Sequence, residues 1–243
     1  MDYQISLLFI VALLSFIQSI YGVGLLVFGT PILLFMKIPF NEALSILLPS
    51  SILISLGQVL KSKTKPTSIQ KKMIGYSTFG VLTGLIIIFN DYLNMDVKIF
   101  VGIGLLISGF LRISKINPIP MRDSLLSQFG FYSFLMGLIH GVSNMGGGVL
   151  TFLSTTIYFN KNEQRYNIAL GYLVFGIVQL SIMFMYRLNI FSFLNIIFMG
   201  ISALIFVKIG NTVYEKTSQL FFDRSMTFLI FIFGFTVLLN SFY

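Results

Sequence analysis

Gly141-Val142-Ser143-Asn144-Met145-Gly146-Gly147-Gly148 interrupts an apolar stretch that runs from residue 125 to residue 159. Three consecutive glycines in the middle of such a stretch break a helix, because glycine is among the strongest punctuators of local structure. A second apolar stretch, 4–36, carries a similar interruption: Tyr21-Gly22-Val23-Gly24, then Gly29-Thr30-Pro31. As one helix, this 33-residue stretch would measure about 50 Å, against a bilayer hydrocarbon core of about 30 Å. Each long stretch therefore reads as two short helices joined by a glycine-rich turn, with the outgoing helices starting near Leu25 and Val149.

Outward from these two stretches the chain remains apolar. Further apolar segments lie at 42–60, 73–90, 97–111, 166–186, 190–207 and 225–242, making eight in all. Hydrophobic residues make up 56% of the 243, charged residues 10%, and the mean hydropathy is +0.91. A soluble domain carries about 25% charged residues, so the composition is that of an integral membrane protein. The absence of cysteine excludes disulfides, thiolate catalysis and cysteine-held metal or Fe–S centres, and a single histidine excludes a histidine cluster. No metal site, catalytic residue or cofactor is expected. The net charge of +8 follows from basic residues collecting in cytoplasmic loops and is not read as a nucleic-acid signal. Met1-Asp2-Tyr3-Gln4 lacks the positive start of a cleaved signal peptide, so the first stretch is expected to be a retained membrane segment.

Charge distinguishes two topologies. With loop 61–72 inside and each long stretch crossing once, nine of the sixteen basic residues are cytoplasmic. With each long stretch a hairpin that enters and leaves on one side, segments 160–165 and 208–224 also become cytoplasmic and the count is thirteen, Arg165 among them. Basic asymmetry sets orientation, which favours the hairpins and places both termini outside. The chain then divides near Asn117-Pro118-Ile119-Pro120 into halves 1–116 and 121–243. Each half is a glycine-broken hairpin followed by three transmembrane helices, up to ten helices in total, with opposite orientations. This is the inverted-topology repeat of many secondary transporters. Likeness between the halves is faint: at an offset of 122, Ile17 meets Ile139, Gly24 meets Gly146 and Val27 meets Val149.

Irregular backbone within a membrane leaves polar groups that protein or a water-filled cavity must satisfy, so the turns are the candidate site. A helix N-terminus carries N–H donors and a partial positive charge, and two converging from opposite sides suit a small anion. The candidate substrate-binding residues are Gln18, Tyr21, Gly22, Gly24, Thr30, His140, Ser143, Asn144, Gly146, Gly147, Gly148 and Thr151. The competing reading is that the glycines permit tight helix packing. His140 either takes a proton during coupled transport or sits neutral on an acceptor. Glu42 and Glu163 each follow an Asn and fit the first turn of a helix. Ser50, Ser51, Ser55, Gln58 and Gln179 lie within membrane helices, where polar residues join neighbours; Pro49 would kink its helix and free a carbonyl, which offers Ser50 and Ser51 a second reading as cavity-facing residues.

At these turns the sequence resembles the TauE/SafE family of sulfite exporters. The likeness lies in Gly22-Val23-Gly24-Leu25-Leu26 through Pro31 with Ile38-Pro39-Phe40-Asn41-Glu42-Ala43, and in Gly141 through Gly148 with Asn160-Lys161-Asn162-Glu163. The resemblance implies movement of small sulfur-containing or carboxylate anions, including sulfite and organosulfonates, across the cytoplasmic membrane. The expectation is thus an all-α polytopic secondary transporter, embedded in lipid, with a small anionic substrate and a coupling proton or sodium ion, able to form a homo-oligomer. No Walker-type nucleotide motif is present. The rival readings are an anion channel with the same site and an intramembrane enzyme built on Ser143 and His140.

Overall fold

The computed structural model describes residues 2–89, 118–186 and 192–239, together with 102, 103, 106, 109 and 110. The expected segment 97–111 lies mostly outside the described residues. Both long stretches are broken at their glycines. Helix α1 (Asp2–Tyr21) is followed by α2 (Leu25–Phe35). Helix α3 (Phe40–Lys61) and helix α4 (Ser68–Phe89) complete the described part of the first half. The second half begins with α5 (Pro118–Ser127), which bends by 84° at Gln128 into α6 (Phe129–Ser143). Then come α7 (Gly147–Ile157), α8 (Lys161–Met185), α9 (Phe193–Ile205), a π-helical turn (Phe206–Gly210), α10 (Asn211–Lys216) and α11 (Gln219–Leu239).

Three differences from the sequence reading have physical causes. Helix α7 starts at Gly147, two residues before Val149, because the Asn144 turn is tight enough to place Gly147 in the first turn. Helices α4, α8 and α11 begin earlier than their apolar segments, because their polar first turns find partners: Asn160 Oδ1 accepts from Asn162 N–H at 2.8 Å at the start of α8. Pro118 and Pro120, given in the sequence reading as the dividing point before residue 121, already belong to α5, where a proline near a helix start costs no hydrogen bond.

Among the described residues five helices are long and apolar enough to cross a membrane, six if the bent α5–α6 pair counts as one span. The 11-residue α2 and α7 are each about 16 Å long, half a hydrocarbon core. They are accordingly sheltered inside the protein: every residue from Leu25 to Pro31 is buried. Lipid-facing positions are large and apolar, among them Phe193, Met185 and Leu60. The chain is therefore an all-helical, multi-pass membrane protein throughout its described residues.

Helices α4 and α6 cross in close contact. Gly80 and Gly84 on α4 face Gly137 and Gly141 on α6, pairs spaced four apart that let the backbones touch. A Cβ on Gly84 would stand 2.5 Å from Leu138 O, and one on Gly141 would stand 2.9 Å from the Gly84 Cα. Gly141, read in the sequence as the start of the turn, thus serves helix packing.

Candidate functional site

The two glycine turns are built alike, and their contacts correspond at the same offset of 122. Gly22 has φ 80 and donates its N–H to Gln18 O at 2.8 Å; Asn144 has φ 61 and donates to His140 O at 2.7 Å. Both positions are left-handed, where glycine and asparagine are the tolerated residues. Gly24 lies against α1 so closely that a Cβ would stand 2.6 Å from Leu14 O and 2.8 Å from the Gln18 Cβ; Gly146 lies against α6, with a Cβ 2.5 Å from Met136 O and 2.6 Å from the His140 Cβ. Phe28 N–H then reaches Gly24 O at 3.0 Å, and Leu150 N–H reaches Gly146 O at 2.9 Å. Gln18 and His140 therefore hold equivalent places.

Each of these two side chains organises a buried polar cluster. Gln18 Oε1 accepts from Leu25 N–H, the first residue of α2, at 3.0 Å, while Gln18 Nε2 donates to Ser51 O at 3.0 Å and to Ser55 Oγ at 3.1 Å on α3. Gln58, also on α3, donates through Nε2 to Gln18 O at 2.6 Å, which also accepts from Gly22 N–H, and to Ser19 O at 3.2 Å, at the carbonyl end of α1. At the second turn His140 Nε2 lies 3.3 Å from Gln179 Oε1 on α8, and Gln179 Nε2 donates to Asn144 Oδ1 at 3.1 Å. Asn144 Nδ2 donates to Thr30 Oγ1 on α2 at 2.7 Å. The imidazole packs against Phe175, ring centroids 4.4 Å apart, and edge-on to Tyr172. His140 Nδ1 and the Tyr172 hydroxyl are buried and have no hydrogen-bond partner among the described residues. The Tyr172 hydroxyl lies where a Cβ on Gly147 would stand.

Of the residues singled out from sequence, Gln18, Gly22, Gly24, Thr30, His140, Asn144, Gly146 and Gly147 thus stand at or between the two turns. The others make different contacts. Tyr21 donates to Ser225 Oγ on α11 at 2.7 Å and stacks near Phe222. Ser143 Oγ donates to Ile139 O at 2.7 Å and accepts from Met145 N–H at 3.2 Å, so it braces the second turn, while Thr151 donates back along its own helix to Gly147 O at 2.7 Å. Gly148 is buried in the first turn of α7. Ser143 Oγ is bonded to Ile139 O and Met145 N–H, and His140 Nε2 to Gln179, so the two are not joined as a nucleophile and base. Leu25 N–H, expected as a free donor, is held by Gln18, since a buried donor needs an acceptor.

Ser55, Gln58 and Gln179 read in the sequence as contacts between helices, and Ser51 as also facing the cavity; in the structure all four are the partners that fix the two turns. Sequence reasoning passed over Tyr172, an aromatic in an apolar run, and did not place Arg165, a topogenic charge in that reading, at a site. Arg165 lines a polar cavity of about 360 Å³ beside the first turn, between the end of α3 and its following loop, the start of α8, and α10. Its Nη2 donates to Ser19 O at 2.6 Å, both Nη atoms approach Asn211 Oδ1, and the guanidinium carbon lies 3.7 Å from the centre of the Tyr214 ring. Among the described residues no three His, Cys, Asp or Glu side chains gather as a metal site.

A family model described as sulfite exporter TauE/SafE matches residues 7–237. Comparison with curated proteins and with solved structures finds no significant match.

Proposed function

The chain belongs to the TauE/SafE sulfite exporter family, and from that membership we propose that it is a secondary transporter moving small anions, namely sulfite, organosulfonates or related carboxylates, across the cytoplasmic membrane. The two glycine turns form the substrate site, and the two halves, oppositely oriented, rock about it to give alternating access. The observation that carries this reading is the contact-for-contact correspondence of the turns, closed by the Asn144–Thr30 hydrogen bond that brings the second turn onto the helix leaving the first. Two half-length helices with buried N-termini are the arrangement in which backbone donors can meet an anion at mid-depth.

A second observation supports the opposed orientation. Residues 58–64, 162–166 and 211–215 line one cavity and so lie at one end of the molecule. The hairpin topology needs 61–72, 160–165 and 208–224 on the same side, whereas single crossings separate them. In the state described here Gln18 Oε1 holds the N–H that opens α2, so an arriving anion takes the place of that amide oxygen. A coupling proton or sodium ion supplies the energy, with His140 as the proton carrier.

The test is counterflow in proteoliposomes with radiolabelled sulfite, sulfoacetate, taurine and acetate, with and without a proton gradient. Saturable, anion-selective exchange is the expected result. Conductance without counterflow would make the protein a channel. Absence of flux for every anion in a folded, reconstituted sample would end the transport reading.

A further inference from the structure

We propose that the cavity lined by Arg165 is an oxyanion-docking site, separate from the glycine turns, at which a small oxyanion contacts the Arg165 guanidinium under the attraction of Lys61 and Lys63. The proposal rests on the transport reading for the fate of the anion, but its binding is testable alone.

Charge is the first argument. Lys61, Lys63 and Arg165 line the cavity against one carboxylate, Glu215. That carboxylate is already engaged, its Oε1 accepting from Asn211 Nδ2 at 2.7 Å. Arg165 is buried, and the hydrogen bonds that hold it go to two neutral oxygens, Ser19 O and Asn211 Oδ1. Its Nε has no hydrogen-bond partner among the described residues. A cation withdrawn from water without a directly bonded counter-ion is costly, and a bound oxyanion would supply the missing charge.

The second argument is a distortion of the backbone. The helix running from Phe193 to Lys216 passes through the π-helical turn at Phe206–Gly210, immediately before Asn211 and Tyr214. Such turns occur frequently at functional sites. Here the turn precedes the residues that hold Arg165: Asn211 takes both Nη atoms and Tyr214 stacks on the guanidinium plane. An arginine fixed in this way presents a charge of set orientation to an oxyanion, which a flexible lysine does not copy. The lining is polar, and the volume suits a small oxyanion with several waters. Gln58 connects this site to the first turn, since it lines the cavity and also donates to Gln18 O.

Arg165 also pins the carbonyl end of α1, so the experiment must separate binding from architecture. Purified protein in detergent would be titrated calorimetrically with sodium sulfite and sodium sulfate, at an ionic strength held constant with sodium gluconate. Sulfite is expected to bind wild type. Loss of one charge-assisted contact in Arg165→Gln should raise its dissociation constant about tenfold or more, with Arg165→Lys intermediate. Lys63 lies on the loop between α3 and α4, so Lys63→Glu should keep the unliganded melting temperature while weakening binding about two- to fivefold through charge alone. If Arg165→Gln fails to fold, Lys63→Glu decides. Wild-type affinity in the folded variants, or no binding of either anion to wild type, overturns the docking site. Binding lost in the variants without flux in proteoliposomes would keep the docking site and remove transport. Flux with unaltered binding in the variants would do the opposite.

Discussion

Asn144 donates through Nδ2 to Thr30 Oγ1 across 2.7 Å, although the two residues are 114 positions apart in the chain. Asn144 is the left-handed residue of the second glycine turn, and Thr30 lies inside the short helix that leaves the first. One buried amide therefore ties the two turns together, and Gln179 holds its other end. Any motion that separates the turns must break or exchange this bond.

Asn144→Gly keeps the backbone conformation at φ 61 but deletes both hydrogen bonds, whereas Thr30→Val deletes one. Polar pairs of this kind inside membrane proteins are worth about 0.6 kcal/mol on average and up to about 1.7. Thr30→Val should lower stability by an amount in that range, and Asn144→Gly by more, since Gln179 Nε2 is left unpaired. Thermal unfolding in detergent reads both. The double variant should cost less than the sum of the singles, because the shared bond can be lost only once. Full additivity would mean that the bond is absent in the native protein.

Glycines in this chain divide by what surrounds them. A methyl at Gly24 or Gly146 meets backbone atoms of α1 or α6, at 2.6 Å and 2.5 Å from carbonyl oxygens. Gly24→Ala and Gly146→Ala should each cost about 1–3 kcal/mol or more, as overpacked cores do. At Gly75 and Gly200 a methyl meets nothing within 4 Å. Alanine there should be neutral or should stabilise by about 0.5–1 kcal/mol, because it favours the helix. Melting temperatures of the four variants check the contrast, and equal losses at all four would show that the close approaches do not exist.

The placement of the three cavity-lining stretches at one end makes topology measurable. The native chain has no cysteine, so single cysteines at Lys63, Asn162 and Asn189 report individually. With a membrane-impermeant thiol reagent applied outside intact cells, Asn189→Cys should label, while Lys63→Cys and Asn162→Cys should not until the membrane is opened. Labelling of Asn162→Cys together with Asn189→Cys, or the reverse of the expected pattern, would refute the hairpin topology.

His140 is buried among Phe175, Tyr172 and Gln179. If it carries the coupling proton, His140→Ala should abolish flux driven by a proton gradient and retain anion counterflow, which needs no net proton movement. His140→Gln, which resembles the Gln18 that occupies the equivalent place in the first turn, should keep the fold better than alanine does. Gradient-driven flux that survives both substitutions would remove His140 from coupling and leave it a structural partner of Gln179.

Much of the architecture was legible because hydropathy and glycine content act locally. The break after Tyr21 is where Gly22 and Gly24 place it, and the break after Ser143 is where Asn144 and Gly146 place it. The candidate site was only partly legible. Gln18, Thr30, Asn144 and His140 could be picked out as polar groups at depth, but Tyr21 and Thr151 have the same chemistry and bond elsewhere. Nothing in their local sequence separates the two sets, because the direction of a side chain depends on which helix packs beside it. Arg165 was legible as a charge near a membrane boundary, but not as a buried one, since its burial is made by Asn211 and Tyr214 beyond a π-helical turn that no periodicity announces.

By itself, then, the sequence determined the solvent and the segment plan: a chain with few charges must lie in lipid, and clustered glycines break its two longest apolar runs. Tertiary structure alone decided the pairing of Gln18 with Ser51 and Leu25, of Asn144 with Thr30 and Gln179, and of Arg165 with Ser19. Transfer from water to lipid is a property of each residue and can be read along a line. A buried hydrogen bond depends on the distance and direction between two groups, and those exist only once the helices have packed.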